Sequence, residues 1–149
     1  MLLTGTFQRA VDEKLRVAIP KPLREALGAL AKGALYVTPG TDGSLGLYTE
    51  EVLAQWAARL AQASPNSQDV RAFNRLFYAR AQAVEIDSQG RLRIPPELAT
   101  LAGISKEAML VGVQDHIELW DRQRWDDYVA RLKSDYDKIA EGAFEPRGT

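Results

Sequence analysis

The sequence contains no cysteine and only one histidine, His116, among its 149 residues. The absence of cysteine excludes disulfide bonds and thiolate metal sites, and a single histidine leaves no basis for a histidine-rich metal site or a Ser-His-Asp triad. No apolar run approaches the roughly 18 residues that a membrane helix needs. The first residues also lack the basic segment and apolar core that are typical of a secretion signal. We therefore expect a cytoplasmic protein that is not an enzyme and has no catalytic residues, metal, cofactor, small-molecule substrate or membrane partner.

The chain also lacks a large excess of charge of either sign, because its net charge is −1. The charges are nevertheless unevenly distributed. Residues 1–24 hold five Lys or Arg against two acidic residues, and residues 71–93 hold five Arg against two acidic residues. Binding of a polyanion responds to local potential rather than to total charge. The two basic segments therefore indicate either phosphate-binding patches or merely solvated faces.

A nine-residue phrase occurs twice, 75 residues apart. Residues 12–20 read DEKLRVAIP, and residues 87–95 read DSQGRLRIP. The similarity continues beyond the phrase, where residues 35–37 align with 109–111, and Leu47 and Tyr48 align with Leu119 and Trp120. A repeat of this length indicates one structural unit that is used twice.

Each unit has the pattern strand, turn, strand, helix, strand, turn, strand, followed by an amphipathic helix. Prolines close the second strand and begin the helix, and Gly28 and Gly103 are expected to end it. A further helix over 69–79 connects the units, and a last helix runs from Arg122 to about Ala140. Since a unit of roughly 45 residues has too little core to fold alone, we predict an α+β fold in which both units share one pseudo-symmetric β-barrel, flanked by helices. The expected segments are 1–62 (first unit and its trailing helix), 63–80 (connection), 81–141 (second unit and its trailing helix) and 142–149 (flexible tail).

The repeated phrase places an aspartate four residues before an arginine across a tight turn, Asp12 with Arg16 and Asp87 with Arg91. The carboxylate is able to accept from turn amides or to pair with its arginine, and an arginine on a rigid turn is suited to phosphate or to the guanine edge. A purely structural ion pair is the alternative. We predict that Asp12, Asp87 and Gly90 orient the turns, and that the DNA-binding residues are Arg9, Lys14, Arg16, Arg91 and Arg93.

The single unit, with its turn phrase, proline-started helix and following strand pair, resembles the AbrB-type swapped-hairpin DNA-binding unit. The tandem arrangement, preceded by Leu3 and Gly5, resembles the MraZ family of bacterial transcriptional regulators over about residues 3–132. The resemblance implies a double-unit barrel, assembly into homo-oligomeric rings, and binding to short G-containing direct repeats in double-stranded promoter DNA. The family's gene stands at the head of the division and cell-wall gene cluster, and the resemblance also implies association with the nucleoid.

Two residues depart from the family's pattern. Leu15 stands where the first turn normally has glycine, whereas the second turn keeps Gly90; a leucine with positive φ costs about 1–2 kcal/mol unless the turn changes shape. Arg9 replaces a residue that is often histidine in the family and adds a positive charge. The alternative function is an antitoxin-like module that uses the same swapped-hairpin fold to bind a protein.

Overall fold

The computed structural model describes residues 2–30, 34–62 and 66–145. The first unit contains β1 (Thr6–Ala10), β2 (Arg16–Ala18), α1 (Lys21–Leu30), β3 (Leu35–Pro39), β4 (Leu45–Thr49) and α2 (Glu50–Gln62), and α3 (Gln68–Tyr78) follows it. The second unit contains β5 (Gln82–Val84), β6 (Arg91–Arg93), α4 (Pro96–Ala102), β7 (Glu107–Val113), β8 (His116–Asp121) and α5 (Arg122–Leu132), and α6 (Tyr136–Phe144) ends the described chain. The predicted order of strands and helices is confirmed in both units.

The two units exchange their first strands. All pairs are antiparallel: β1 of the first unit pairs with β7 of the second, and β5 of the second pairs with β3 of the first. The resulting six-stranded sheet has the order β1-β7-β8-β4-β3-β5, which reads the same when the units are interchanged. Strands β2 and β6 pair with each other in a separate ribbon, and β4 pairs with β8. Neither unit therefore completes its sheet without the other.

The predicted closed barrel is not confirmed. In the part of the chain that the structure describes, continuous pairing stops at β1 and β5, which form the edges of the six-stranded sheet. Single bridges link these edges to the ribbon, Val11 to Val17 on one side and Ile86 to Leu92 on the other. The chain leaves each edge strand at the repeated turn, so β2 and β6 extend the pairing by one bridge rather than by a full ladder.

The largest hydrophobic cluster of the described residues combines residues of the six-stranded sheet and the ribbon, and both units contribute to it. The ribbon supplies Val17 and Leu92, which face each other across the strand pair and are almost fully buried. Equivalent residues of both units surround this pair: Ile19, Leu23, Val37 and Leu47 from the first, and Ile94, Leu98, Leu110 and Leu119 from the second. Burial of this apolar surface from two units at once is the main force that holds them together.

The strand pairing shifts the alignment between residues 35–37 of the first unit and residues 109–111 of the second by one position. Tyr36 pairs with Ala83 and Tyr48, and Met109 pairs with Gln8 and Trp120. Tyr36 is therefore the structural counterpart of Met109, not of Leu110. Register depends on which side chains face the core, and a 73-residue offset places the buried Val37 and Leu110 on the same face.

The two prolines lead into helices as predicted, but the helices end differently. Gly103 ends α4 in the left-handed conformation, with φ of 68° and its amide donating to the Thr100 carbonyl at 3.1 Å. Gly28 does not end α1, which continues to Leu30. A glycine in a helix costs only about 1 kcal/mol relative to alanine, so it ends a helix only when the following residues favour the turn.

The last helix is not continuous to Ala140. It breaks after Leu132 into a 3-10 turn over Lys133–Asp135, and α6 follows. Ser134 and Asp135 at the break are weak helix formers. The first part of the predicted tail, residues 142–144, is helical, whereas residues 146–149 lie outside the described residues, as do residues 63–65 of the predicted connection. No helix within the described ranges is long and apolar enough to cross a membrane.

We predict that the two units unfold together, and that Leu92→Ala destabilises both. The substitution leaves a cavity at the centre of the ribbon, where Leu92 has no exposed surface, and Leu→Ala in a core costs about 2–5 kcal/mol. Urea unfolding followed by circular dichroism and by tryptophan fluorescence should give one shared transition at a lower midpoint. Leu101→Ala, at a position that is 45% exposed, is the control and should shift it little. Two separate transitions would contradict the shared core.

Candidate nucleic-acid interface

Asp12 organises the first turn through three hydrogen bonds. Its Oδ1 accepts from the amides of Lys14 and Arg16, both at 2.9 Å, and its Oδ2 accepts from Arg16 Nε at 2.7 Å. The turn is closed by the Asp12 amide, which donates to the Arg16 carbonyl at 3.0 Å. One carboxylate therefore fixes both the backbone of the turn and the direction of its arginine.

The second turn repeats this arrangement. Asp87 Oδ1 accepts from the amides of Gln89 and Arg91, both at 2.9 Å, and Oδ2 accepts from Arg91 Nε at 3.1 Å. The amide of Asp87 donates to the Arg91 carbonyl at 2.8 Å. The two turns thus hold their arginines in the same way although their tips differ in sequence.

These hydrogen bonds lower the pKa of both aspartates. For Asp12 the main cause is the amide of Arg16. Desolvation, the next largest effect, raises the pKa, and the Arg16 side chain and the Lys14 amide lower it further. The amide of Arg91 is the main cause of the lowered pKa of Asp87. A carboxyl with a depressed pKa contributes stability above its ordinary pKa and loses it as the pH falls through the lowered value. Both carboxylates are therefore ionised at neutral pH and able to accept these hydrogen bonds.

Each turn is joined to the strand of the other unit. The Ile94 amide donates to the Leu15 carbonyl at 2.8 Å, and the Ile19 amide donates to the Gly90 carbonyl at 2.9 Å. These bonds extend the β2–β6 ribbon into both turns. The two turns consequently lie at opposite ends of one rigid ribbon rather than on separate hairpins.

The outer face of this ribbon is basic. Val17 and Leu92 point to the core, so the alternating positions Arg16, Arg91 and Arg93 point outward. Arg16 lies directly opposite Arg93, and Arg91 lies opposite Ala18. Like charges that face each other across a strand pair are destabilising, and a bound anion between them removes the repulsion. The ribbon therefore has the charge and geometry of an anion-binding surface.

The aspartates leave most of each guanidinium available. Arg16 and Arg91 use Nε for the ion pair, and within the described residues neither donates a hydrogen bond from its terminal nitrogens. The two terminal N–H groups form the fork that binds phosphate or the O6 and N7 atoms of guanine. The carboxylate fixes the fork's direction without occupying it.

The remaining predicted cations are less closely placed. Lys14 lies exposed at the tip of the first turn, where the second turn has Gln89. Arg9 lies on β1 and turns back toward preceding residues, with its guanidinium 5.8 Å from the Phe7 ring centroid and a 2.8 Å hydrogen bond to the Gln8 carbonyl. The structure thus joins Arg16, Arg91 and Arg93 on one face of the ribbon, with Lys14 at the tip of the first turn, and places Arg9 on β1.

Leu15 adopts the backbone conformation of the glycine that it replaces. Its φ is 61°, against 77° for Gly90, and the hydrogen bonds of the two turns correspond one to one. The first turn therefore keeps its shape, and a leucine in this region carries about 1–2 kcal/mol of strain. The half-buried Leu15 side chain packs against the core, which offsets part of that strain.

Arg24 is a further cation of this surface, which the sequence did not reveal. It lies on α1, donates from Nε to the Ile19 carbonyl at 2.9 Å, and covers Gly90 so closely that a Cβ atom there would lie 2.9 Å from its Cζ. The repeat offset of 75 makes Ala99 its counterpart in the second unit. By the same offset Leu15 corresponds to Gly90, so the large residue Arg24 accompanies the glycine and the small residue Ala99 accompanies the leucine. These paired differences between the units are the signal in the sequence.

Within residues 2–30, 34–62 and 66–145, no three histidine, aspartate or glutamate side chains are grouped so that they could hold a metal ion.

We predict that Gly90→Ala destabilises the protein through two separable effects. The left-handed backbone costs about 1–2 kcal/mol for a residue with a side chain, and the new Cβ also meets the Arg24 guanidinium. In an Arg24→Ala background only the backbone cost should remain, so the two substitutions should be non-additive in urea unfolding.

Gly28→Ala is the matched control for that cycle. Gly28 lies in α1, and no neighbouring atom lies within 4 Å of the place that a Cβ would take, so the same substitution should raise stability there by about 1 kcal/mol. An equal cost of Gly90→Ala with and without Arg24 would show that Arg24 does not cover this turn.

The chain matches a known family in both of its halves. The family described as "MraZ protein, putative antitoxin-like" matches residues 2–76 and again residues 77–145.

Three similar relatives are each named transcriptional regulator MraZ. The protein of Lactobacillus delbrueckii subsp. bulgaricus is 37% identical over 94% of this chain and 95% of its own. That of Acetivibrio thermocellus is 38% identical over 92% and 93%, and that of Thermomicrobium roseum is 36% identical over 94% and 96%. The resemblance found in the sequence is confirmed, and the chain belongs to the MraZ family, whose unit it contains twice.

Proposed function

We propose that this protein is a sequence-specific, DNA-binding transcriptional regulator, and that the β2–β6 ribbon with its two turns is the surface that binds double-stranded DNA. The observation that carries the proposal is the pair of identically built Asp–Arg turns joined by one rigid ribbon. The names of the relatives support it, since they are called transcriptional regulators.

A two-stranded ribbon such as β2–β6 is an element that the major groove of DNA accommodates. That groove is about 12 Å wide and admits a two-stranded β-ribbon. Arg16 and Arg91 stand at equivalent positions on the ribbon, and their aspartates hold the guanidinium forks in place before binding. Preorganised side chains lose less conformational entropy on binding. In this proposal these two arginines contact guanine edges, whereas Lys14, Arg24 and Arg93 contact phosphates and Arg9 supports them from β1.

A single chain offers few cations for a polyanion, so we propose that it acts as a homo-oligomer. A ring repeats the ribbon several times and places neighbouring copies on short, G-containing direct repeats, which raises affinity by multivalency. The promoter repeats lie, in this proposal, upstream of the division and cell-wall gene cluster. The protein would then be cytoplasmic and associated with the nucleoid. In the same proposal, the two bridges that join the six-stranded sheet to the β2–β6 ribbon complete the predicted barrel.

The second candidate function is an antitoxin-like module that binds a protein. The words "antitoxin-like" in the family description favour it. In this second function the Asp–Arg turns have a structural role only. It therefore predicts that removing the guanidinium of Arg16 or Arg91 leaves the affinity for DNA unchanged.

We predict that Arg16→Ala and Arg91→Ala each weaken binding to DNA from upstream of the protein's own gene by about 1–3 kcal/mol, because each removes a bidentate base contact. Arg24→Ala should cost less and should reduce the slope of log affinity against log salt by about one, as expected for a phosphate contact. Fluorescence anisotropy over a range of salt concentrations measures both effects. Arg131→Ala on α5, whose guanidinium lies over Tyr128, is the control outside the ribbon.

Arg16→Lys separates the two kinds of contact, because lysine keeps the charge but lacks the fork. A loss as large as that of Arg16→Ala indicates base recognition, whereas retained affinity indicates a phosphate contact.

A probe with one repeat should bind far more weakly than one with tandem repeats. Unchanged DNA affinity in folded Arg16→Ala and Arg91→Ala proteins would reject this surface and favour the protein-binding alternative.

A further inference from the structure

Helix α6 presents an apolar stripe that nothing in the described part of the chain covers. Tyr136 is 72% exposed, Ile139 47% and Phe144 88%. With Ala140 and Ala143 these residues follow the spacing of one helix face. Exposed apolar stripes of this kind mark surfaces that contact a partner.

A groove between α2 and α3 has the complementary form. Its volume is about 510 Å³, and its lining includes the small and apolar side chains of Ala57, Leu60, Ala61 and Val70. Alanines in the lining allow the backbone of another helix to approach closely. Helix α3 extends for about 16 Å and α6 for about 13 Å at 1.5 Å per residue, so α3 is long enough for α6 to lie along it.

The charges of the two surfaces have the same spacing. Arg71 and Arg75 of α3 also line the groove, and Arg71 donates a 2.6 Å hydrogen bond to the Asn66 carbonyl. Asp137 and Glu141 flank the apolar stripe of α6. Residues four apart on a helix lie one turn apart on the same face. Both pairs are therefore separated by one helical turn, and each arginine is able to meet one carboxylate.

We propose that the α2–α3 groove of one chain binds α6 of a second copy, with the apolar stripe against the apolar lining of the groove and Asp137 and Glu141 against Arg71 and Arg75. This inference deepens the homo-oligomer of the proposed function and rests on it. The donor helix and the acceptor groove are different surfaces of the chain, so the contact is head-to-tail. Repetition of such a contact forms a ring when the rotation closes.

Charge reversal with rescue tests this contact. We expect Arg71→Glu/Arg75→Glu to lower the mass measured by multi-angle light scattering at micromolar concentration, and Asp137→Arg/Glu141→Arg to do the same. The protein with all four substitutions should regain the wild-type mass, because the charges are again opposite. Lys138→Glu, on the opposite side of α6, is the control and should leave the mass unchanged. Thermal unfolding monitored by circular dichroism checks that each variant is folded.

The outcomes separate this inference from the proposed function. A wild-type protein with the mass of one chain would overturn the homo-oligomer and this contact together. A wild-type oligomer that persists in both charge-reversed proteins would overturn the contact alone and would leave the groove to a different partner. A four-fold substituted protein that stays dissociated although folded would also overturn it, because loss without rescue shows no direct pairing. Arg16→Ala should change DNA affinity and not mass.

Discussion

The pairing of β2 with β6 is the constraint on which the rest of the structure depends. Its inner side supplies Val17 and Leu92 to the core, and its outer side presents the basic residues. Its ends are fixed by the hydrogen bonds from Ile94 to Leu15 and from Ile19 to Gly90. Because each of these bonds joins one unit to the other, the same contacts that build the shared core also set the distance between the two turns. The contacts between the two units thus determine both the stability of the protein and the geometry of the site.

The two turns show how a small polar network prepares a surface for a ligand. Each aspartate satisfies two backbone amides and one arginine nitrogen, and this is why its pKa lies below the ordinary value. Hydrogen bonds to an ionised group are stronger than neutral ones. Since the pairs are partly exposed, solvent limits their contribution to stability. Their larger effect is to hold Arg16 and Arg91 in a defined direction before any ligand arrives.

The sequence predicted the parts of the fold that depend on local spacing, and it missed those that depend on the other unit. The repeated phrase predicted both turns, and the prolines predicted α1 and α4, because these features involve residues close together in the chain. The end of α1 was wrong, since Gly28 alone does not stop a helix. Closure of the barrel was not confirmed, because in the described residues strand exchange leaves single bridges, not continuous pairing, at the edges. Arg24 was missed because it contacts Gly90 across the ribbon, 66 residues away.

Cross-linking from the turn to DNA tests the central claim most directly. The chain contains no cysteine, so a single Ser88→Cys substitution at the exposed tip of the second turn carries a photoreactive label at one known place. Ser134→Cys, exposed in the 3-10 turn before α6, carries the same label far from the ribbon along the chain. If the ribbon binds DNA, the label at position 88 should cross-link to a promoter probe and the label at position 134 should not. Cross-links from position 134 together with none from position 88 would contradict the account.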